Sequence, residues 1–215
     1  MKKIILSILI VTNALVANAQ QTIVRSAANY DAAHWKPWLL NNPKQINIPA
    51  PPTAAELKVE LKTIKQRVAN VDEKKMREIQ YWNAGAPSYR WNQIIPGLVA
   101  QKQEVQLRMP ASWMNIAIYD ATILAWKEKL KYKTKRPTDL DPSLKAAINS
   151  PNTYSYPCEH SVTASAAANV LAYFFPEKKD SIFQIAHAAS QSRIDAGVQF
   201  LSAVDAGWKL GEEVA

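Results

Sequence analysis

Apolar residues along this chain recur at helical spacing. Leu57, Leu61, Ile64, Val68 and Val71 follow one another at steps of four and three, with lysines and glutamates between them. That periodicity predicts a first helix from about residue 54 to residue 81. Tyr81-Trp82-Asn83-Ala84-Gly85-Ala86-Pro87 then supplies aromatic, glycine and proline stop signals. A weaker helix is predicted from residue 88 to about 105, distorted around Pro96-Gly97. A third begins near Pro110, which suits a first helical turn, and runs to about Lys131. It carries Met114, Ala117, Ile118, Ala121 and Ala125 on one face. Beyond a proline-bearing loop, residues 160 to 175 read as a buried helix whose alanines and serines permit close helix approach. Helices from Lys178 to about Ala196 and from Ser202 onward complete the set. Ser202-x-x-Asp205 reads as an acidic variant of the N-terminal capping signature. Sustained period-two alternation and hairpin dipeptides are missing, so the predicted fold class is all-α, a helical bundle without internal repeat.

The two ends read differently from the middle. Lys2 and Lys3 precede an apolar stretch from Ile4 to Val16, and Ala17-Asn18-Ala19 is a small-residue cleavage pattern. Residues 1–19 are therefore expected to be a signal peptide that directs the chain to the periplasm or outside the cell. The apolar stretch is shorter than the roughly 20 residues of a spanning helix, so no transmembrane anchoring is expected. Residues 20–53 form a proline-rich leader, with prolines at 37, 43, 49, 51 and 52. His34, Trp35 and Trp38 are expected to pack it against the helical domain of residues 54–215. The final Gly207-to-Ala215 pattern ends without a C-terminal cap signal, which fits either a fragment or a frayed last helix.

Composition narrows the partners. A chain of 215 residues is long enough for one domain with a substantial core. Its formal charge of +8 falls to +6 once the two lysines of the signal are removed. Such an excess favours anionic partners, and an ordinary lysine-rich surface explains it equally well. No zinc-finger spacing, recognition-helix signature or aromatic RNA-binding motif points to nucleic acid. With a single cysteine, Cys158, no intrachain disulfide can form.

Three segments carry candidate chemistry. Lys129 and Arg136-Pro137 lie at and just after a predicted helix end, where the helix dipole also favours cations. Lys131, Lys133 and Lys135 are equally basic neighbours, so that spacing alone is unremarkable. Functionally, a lysine point charge and an arginine fork would together hold the oxygens of a phosphate-like anion. Pro157-Cys158-Glu159-His160 precedes a predicted helix, whose first backbone N–H groups make a ready anion site. His160 is either a structural or capping residue or an acid–base group. Ser192-Arg193 supplies a third cation, and Gly197 suits a tight turn that returns the chain to Gln199.

Lys-x6-Arg-Pro, Pro-x-x-His and Ser-Arg followed by Gly-x, in that order, resemble the three signatures of the type 2 phosphatidic acid phosphatase and vanadium haloperoxidase superfamily. The stretch from Ala111 to Ala121 leading into Trp126-Lys127 looks like the helix before the first signature in its soluble bacterial haloperoxidase-like branch. The resemblance implies a helical bundle that binds a phosphate or vanadate oxyanion. Lys129, Arg136, Arg193 and the backbone at Cys158 and Glu159 would hold that anion, and His160 would act as acid or base. It admits vanadate as a cofactor and implies no directly liganded metal.

The departures matter as much. The superfamily usually has Pro-Ser-Gly-His at the second signature. Here Cys158 is a poorer donor than serine, and Glu159 brings a negative side chain. Pointing inward, Glu159 would weaken anion binding; pointing outward, it would leave its N–H available. Gln199 stands where the nucleophilic, vanadate-ligating histidine belongs, and Ala203 where the aspartate that orients it belongs. A glutamine amide has no basic nitrogen lone pair and can do neither job. His34 and His187 lie outside the signatures and are read as structural. Cys158 as a substitute nucleophile would need a thiolate favoured by the helix N-terminus and nearby cations. A cysteine phosphatase loop also needs an arginine six residues on, where this chain has Ala164, and a small apolar filler is the commoner role for a free cysteine. The expected function is an exported oxyanion-binding protein whose hydrolase or peroxidase chemistry is impaired. The alternative is a non-catalytic oxyanion binder or a helical scaffold.

Overall fold

A computed structural model describes residues 32–41, 46–101 and 108–215. The expected signal peptide, the first part of the leader and the end of the second predicted helix lie outside the described residues. The backbone from Ala32 to Ser150 and from Tyr154 to Ala215 forms one compact unit, distinct from Pro151–Thr153. All that follows concerns the larger unit. Its helices, in order, are α1 (Ala54–Ala69), α2 (Glu73–Trp82), α3 (Tyr89–Val99), α4 (Arg108–Tyr132), α5 (Pro137–Leu140), α6 (Glu159–Phe174), α7 (Lys179–Asp195) and α8 (Leu201–Val214). No strand occurs among the described residues, so the fold is all-α.

The single helix predicted over residues 54–81 is two. α1 opens on a capping box between Thr53 and Glu56, and Asn70 closes it. Asp72 then accepts a hydrogen bond from the Lys75 N–H at 2.7 Å and starts α2. Asx side chains compete for backbone groups in this way, and the apolar periodicity runs across the break without revealing it. Leu57, Leu61 and Ile64 enter the main core, whereas Val71 joins a smaller cluster around Ile79, Ala196 and Val198.

α6 is the central helix. From Ser161 to Ala168 every residue is buried, and the helix packs against α4, α7 and α8. Small residues make that possible. Gly207 and Gly211 stand one turn apart on α8, directly against the α6 backbone. A methyl group added at Gly207 would lie 2.5 Å from the Cys158 carbonyl oxygen, and one at Gly211 would run into the Val162 carbonyl oxygen. Ser161 Oγ donates to the Val204 carbonyl at 2.6 Å across the same contact. The Ser202-x-x-Asp205 cap does not form. Phe200 occupies the N-cap without a side-chain bond, and the Ser202 N–H is taken by the Glu60 carboxylate at 3.1 Å.

The leader docks by an unforeseen device. Asp120, buried on α4, accepts three successive backbone N–H groups, from Trp38 at 2.7 Å and from Leu39 and Leu40 at 2.9 Å each. Trp35 stacks on Tyr119 with ring centroids 5.4 Å apart, as expected of a packing residue. The Trp38 side chain is exposed instead, because its backbone rather than its indole makes the contact. His34 is exposed as well.

These contacts separate two glycines by experiment. Gly211→Ala should destabilise the protein by about 1–3 kcal/mol through overpacking. Gly97→Ala should stabilise it by about 0.5–1 kcal/mol, because Gly97 lies inside α3 with no atom within 4 Å of an added methyl. Urea midpoints of the two variants would check both signs.

Candidate functional site

The three sequence segments meet at one place, and local geometry explains how. α4 ends where Lys133 takes a left-handed conformation, φ 50°, with its N–H on the Lys129 carbonyl at 2.9 Å. The turn leaves Lys129 on the helix and brings Arg136 back beside it. α7 ends in a Schellman motif. Val198 N–H bonds the Arg193 carbonyl at 3.2 Å, Gly197 N–H bonds the Ile194 carbonyl at 2.9 Å, and Gly197 has φ 75°. Gln199 thereby returns to Arg136.

Lys129, Arg136 and Arg193 are all buried, at 0%, 2% and 2% exposure. Charges taken this far out of water need partners. Lys129 Nζ donates to the Tyr154 carbonyl at 2.5 Å and the Ser155 carbonyl at 3.4 Å, and stands 3.6 Å from Glu159 Oε2. Burial pulls its pKa down to about 8, against the opposing pull of Glu159. Arg136 Nη1 donates to the Val198 carbonyl at 2.9 Å, and its backbone N–H bonds Asp139 at 2.8 Å. Burial lowers its pKa too, and Glu159 counters. Arg193 donates to Ser192 Oγ at 3.0 Å, to Asn83 Oδ1 at 3.1 Å and to the Ile79 carbonyl at 2.9 Å. Its pKa falls to about 10, chiefly from burial.

Gln199 does more than mark a missing histidine. With its amide oxygen toward Arg136, Oε1 accepts from Nη1 at 2.9 Å. The amide nitrogen then donates to the Ser155 carbonyl at 3.0 Å and Oγ at 2.7 Å. The reverse orientation would set an amide nitrogen against a guanidinium, so neighbours dictate this one. Glu159 points inward, toward Lys129, which settles the alternative left open by the sequence.

Cys158 and His160 lie at the start of α6, and burial governs both. The Cys158 N–H is committed to the Ala203 carbonyl at 2.8 Å, which removes that donor from the expected oxyanion role. Its thiol is fully buried, and burial pushes its pKa up although Lys129, Arg193 and Arg136 pull it down. Desolvation outweighs the cations, and the thiol sits in the hydrophobic core, in line with the apolar-filler reading. His160 is hydrogen-bonded to the Trp82 carbonyl. A carbonyl only accepts, so the ring nitrogen facing it carries the proton. Nε2 is buried with no partner. Burial, then repulsion from Arg193, lowers the His160 pKa to about 3. At neutral pH the ring is therefore neutral.

Sequence reasoning missed the contribution of α2. Ile79, Trp82 and Asn83 at its C-terminal end supply acceptors to Arg193 and His160. Tyr81-Trp82-Asn83 was legible as a helix stop, and nothing in the sequence connects it to α7. His187, outside the three segments, stacks on Trp208 with ring centroids 4.1 Å apart. Among the described residues, no group of three or more His, Cys, Asp or Glu side chains is placed to hold a metal ion.

No protein-family model matches this chain, and no curated protein matches it. Solved structures do. It is similar to a structure described as the first bacterial vanadium-dependent iodoperoxidase, with 21% identity and a TM-score of 0.74, over 85% of this chain and 55% of that one. A holo-type bacterial vanadium-dependent chloroperoxidase aligns at 14% identity and a TM-score of 0.72, over 85% and 52%. A transmembrane PAP2-type phosphatidylglycerolphosphate phosphatase from Bacillus subtilis aligns at 20% identity and a TM-score of 0.56, over 75% and 83%. This chain spans about half the length of the haloperoxidase chains. At these identities the shared property is the fold.

The buried imidazole yields a pH prediction. Between pH 3 and 6.5 the unfolded chain binds a proton that folded His160 refuses, so stability rises with pH through that window and levels off above it. Going from pH 7 to pH 5 should cost about 2 kcal/mol from this group. Denaturation of His160→Gln at both pH values should show a correspondingly smaller loss than the parent protein.

Proposed function

We propose that this chain belongs to the vanadium haloperoxidase and type 2 phosphatidic acid phosphatase superfamily and binds a phosphate-class oxyanion without forming a covalent bond to it. The observation that carries this reading is the buried, partnerless Nε2 of His160 beside three buried cations. A folded protein rarely leaves such an atom unsatisfied, and a bound ligand is one of the few explanations. The order of the three signatures and the fold likeness to haloperoxidases and a phosphatase support the same reading.

The fit to vanadate is partial. Lys129, Arg136 and Arg193 suit a tetrahedral oxyanion. Gln199 does not suit a covalently attached one, because its amide nitrogen has no lone pair to give. Vanadate bound covalently would supply peroxide activation; here it would be held as phosphate is, by charge and hydrogen bonds. Arg193 retains two of its five N–H donors after its three protein partners are counted. Glu159 and Gln199 hold Lys129 and Arg136 until an anion replaces them. Hydrolysis or halide oxidation through a histidine nucleophile is absent from this reading. We place the protein in an exported compartment on the pattern of residues 1–19. Among the described residues no helix is long and apolar enough to cross a membrane.

A second reading, an oxyanion-free helical scaffold, draws support from the internal acceptors given to every cation. Calorimetric titration with orthovanadate, with inorganic phosphate as competitor, separates the two. Competable binding is expected, weakened at least about tenfold in Arg193→Met through loss of a charged hydrogen-bond donor. Absence of binding, or binding indifferent to Arg193, would leave the scaffold.

A further inference from the structure

Of the four charged side chains Lys129, Arg136, Glu159 and Arg193, Glu159 is the one that solvent reaches. Its side chain is 23% exposed, whereas the three cations are buried. The carboxylate nevertheless turns inward, with Oε2 3.6 Å from Lys129 Nζ. Its charge counters the effect of burial on Arg136 as well as on Lys129. Gln199 answers Arg136 with a neutral amide dipole, but Lys129 faces a full negative charge. An oxyanion reaching Lys129 therefore meets an anion already in place. That anion is tethered, and a group on a short flexible arm competes at an effective concentration on the order of millimolar. It can also withdraw at little cost. Glu159 is the first residue of α6, where the helix dipole favours a carboxylate whether it points in or out. Rotation about its side-chain bonds carries it to water without moving the backbone.

Resting on the oxyanion reading, we infer that Glu159 is a resident competitor that makes the site selective by charge, excluding monoanions of the carboxylate class and yielding to a phosphate-class dianion. A free monoanion offers Lys129 only what Glu159 already supplies, and must hold its place without a tether. A dianion brings twice the charge and acts on Lys129, Arg136 and Arg193 together, so the exchange favours it. Selectivity of this kind lowers affinity. While the carboxylate faces inward the site is closed, and the apparent dissociation constant rises by the reciprocal of the open fraction. Loss of the Glu159 charge should therefore raise affinity for phosphate and abolish discrimination in the same step. A carboxylate present only to neutralise Lys129 within the fold would not link those two effects.

The test is calorimetric titration at pH 7 with inorganic phosphate, without and with excess formate, of the unaltered protein, Glu159→Gln and Glu159→Gly. Formate is the free counterpart of the Glu159 carboxylate. Ionic strength is held constant with HEPES, whose anion is bulkier than either ligand. In the unaltered protein, phosphate affinity should not change when formate is added. In both variants, phosphate should bind at least about tenfold more tightly, and formate should take that gain away. Circular dichroism confirms the fold, and two substitutions with different backbone freedom guard against a folding defect in one. Phosphate affinity indifferent to both substitutions, or formate competing equally in all three proteins, would overturn the inference and leave the oxyanion reading intact. Phosphate binding confined to the variants would overturn it too, because the resident carboxylate would then exclude every anion. Absence of binding in all three proteins would overturn the oxyanion reading and this inference together.

Discussion

The close contact between α6 and α8 sets the frame for everything near the candidate site. It depends on Gly207 and Gly211, where a single methyl group would strike α6 carbonyl oxygens. With the two backbones this near, the Cys158 N–H reaches the Ala203 carbonyl and the first turn of α6 is pinned. Glu159 and His160 inherit their positions from that pin. Gln199, just ahead of α8, is held on the other side of it by the turn at Gly197. Helix packing of this kind is gained through dispersion and excluded water rather than through polar specificity. It nevertheless decides which polar atoms can meet.

Within that frame the electrostatics are unusual. Three cations lie in low-dielectric surroundings, and each is answered largely by carbonyl or amide dipoles, with the Glu159 carboxylate 3.6 Å from Lys129. Dipoles relieve desolvation without cancelling charge, so the cluster keeps a positive potential. Burial, helped by that potential, holds His160 neutral, and the potential fails to hold Cys158 ionised. For the thiol, burial outweighs attraction; for the imidazole, burial and repulsion act together. The same cluster thus leaves a neutral base and a neutral thiol side by side.

Much of this was legible in the sequence. Helical periodicity, the small-residue character of α6 and the turn at Gly197 all correspond to local rules. The order of three short signatures was enough to expect Lys129, Arg136, His160, Arg193 and Gln199 together. The break at Asn70-Val71-Asp72 was hidden because apolar spacing continues through it. The direction of Glu159, the commitment of the Cys158 N–H and the service of α2 to Arg193 and His160 are tertiary facts. Each depends on which element happens to stand opposite, and no spacing rule encodes that. Gln199 was read by what it lacks, whereas its hydrogen bonds to Ser155 and Arg136 make it a structural linker.

The carboxylate of Asp120 has a consequence for how this chain can vary. It grips residues 38–40 by their main-chain N–H groups and by nothing on their side chains. Trp38 and Leu39 are displayed outward, whereas Leu40 packs against the core, so side-chain identity is loosely tied to the fold at the first two positions only. One residue type is barred from all three positions, because proline has no N–H to offer. The leader is rich in prolines, and those at 37 and 43 stop short of the grip on either side. Sequence drift at positions 38 and 39 is therefore expected to look unconstrained except for that single exclusion, while position 40 also keeps an apolar side chain.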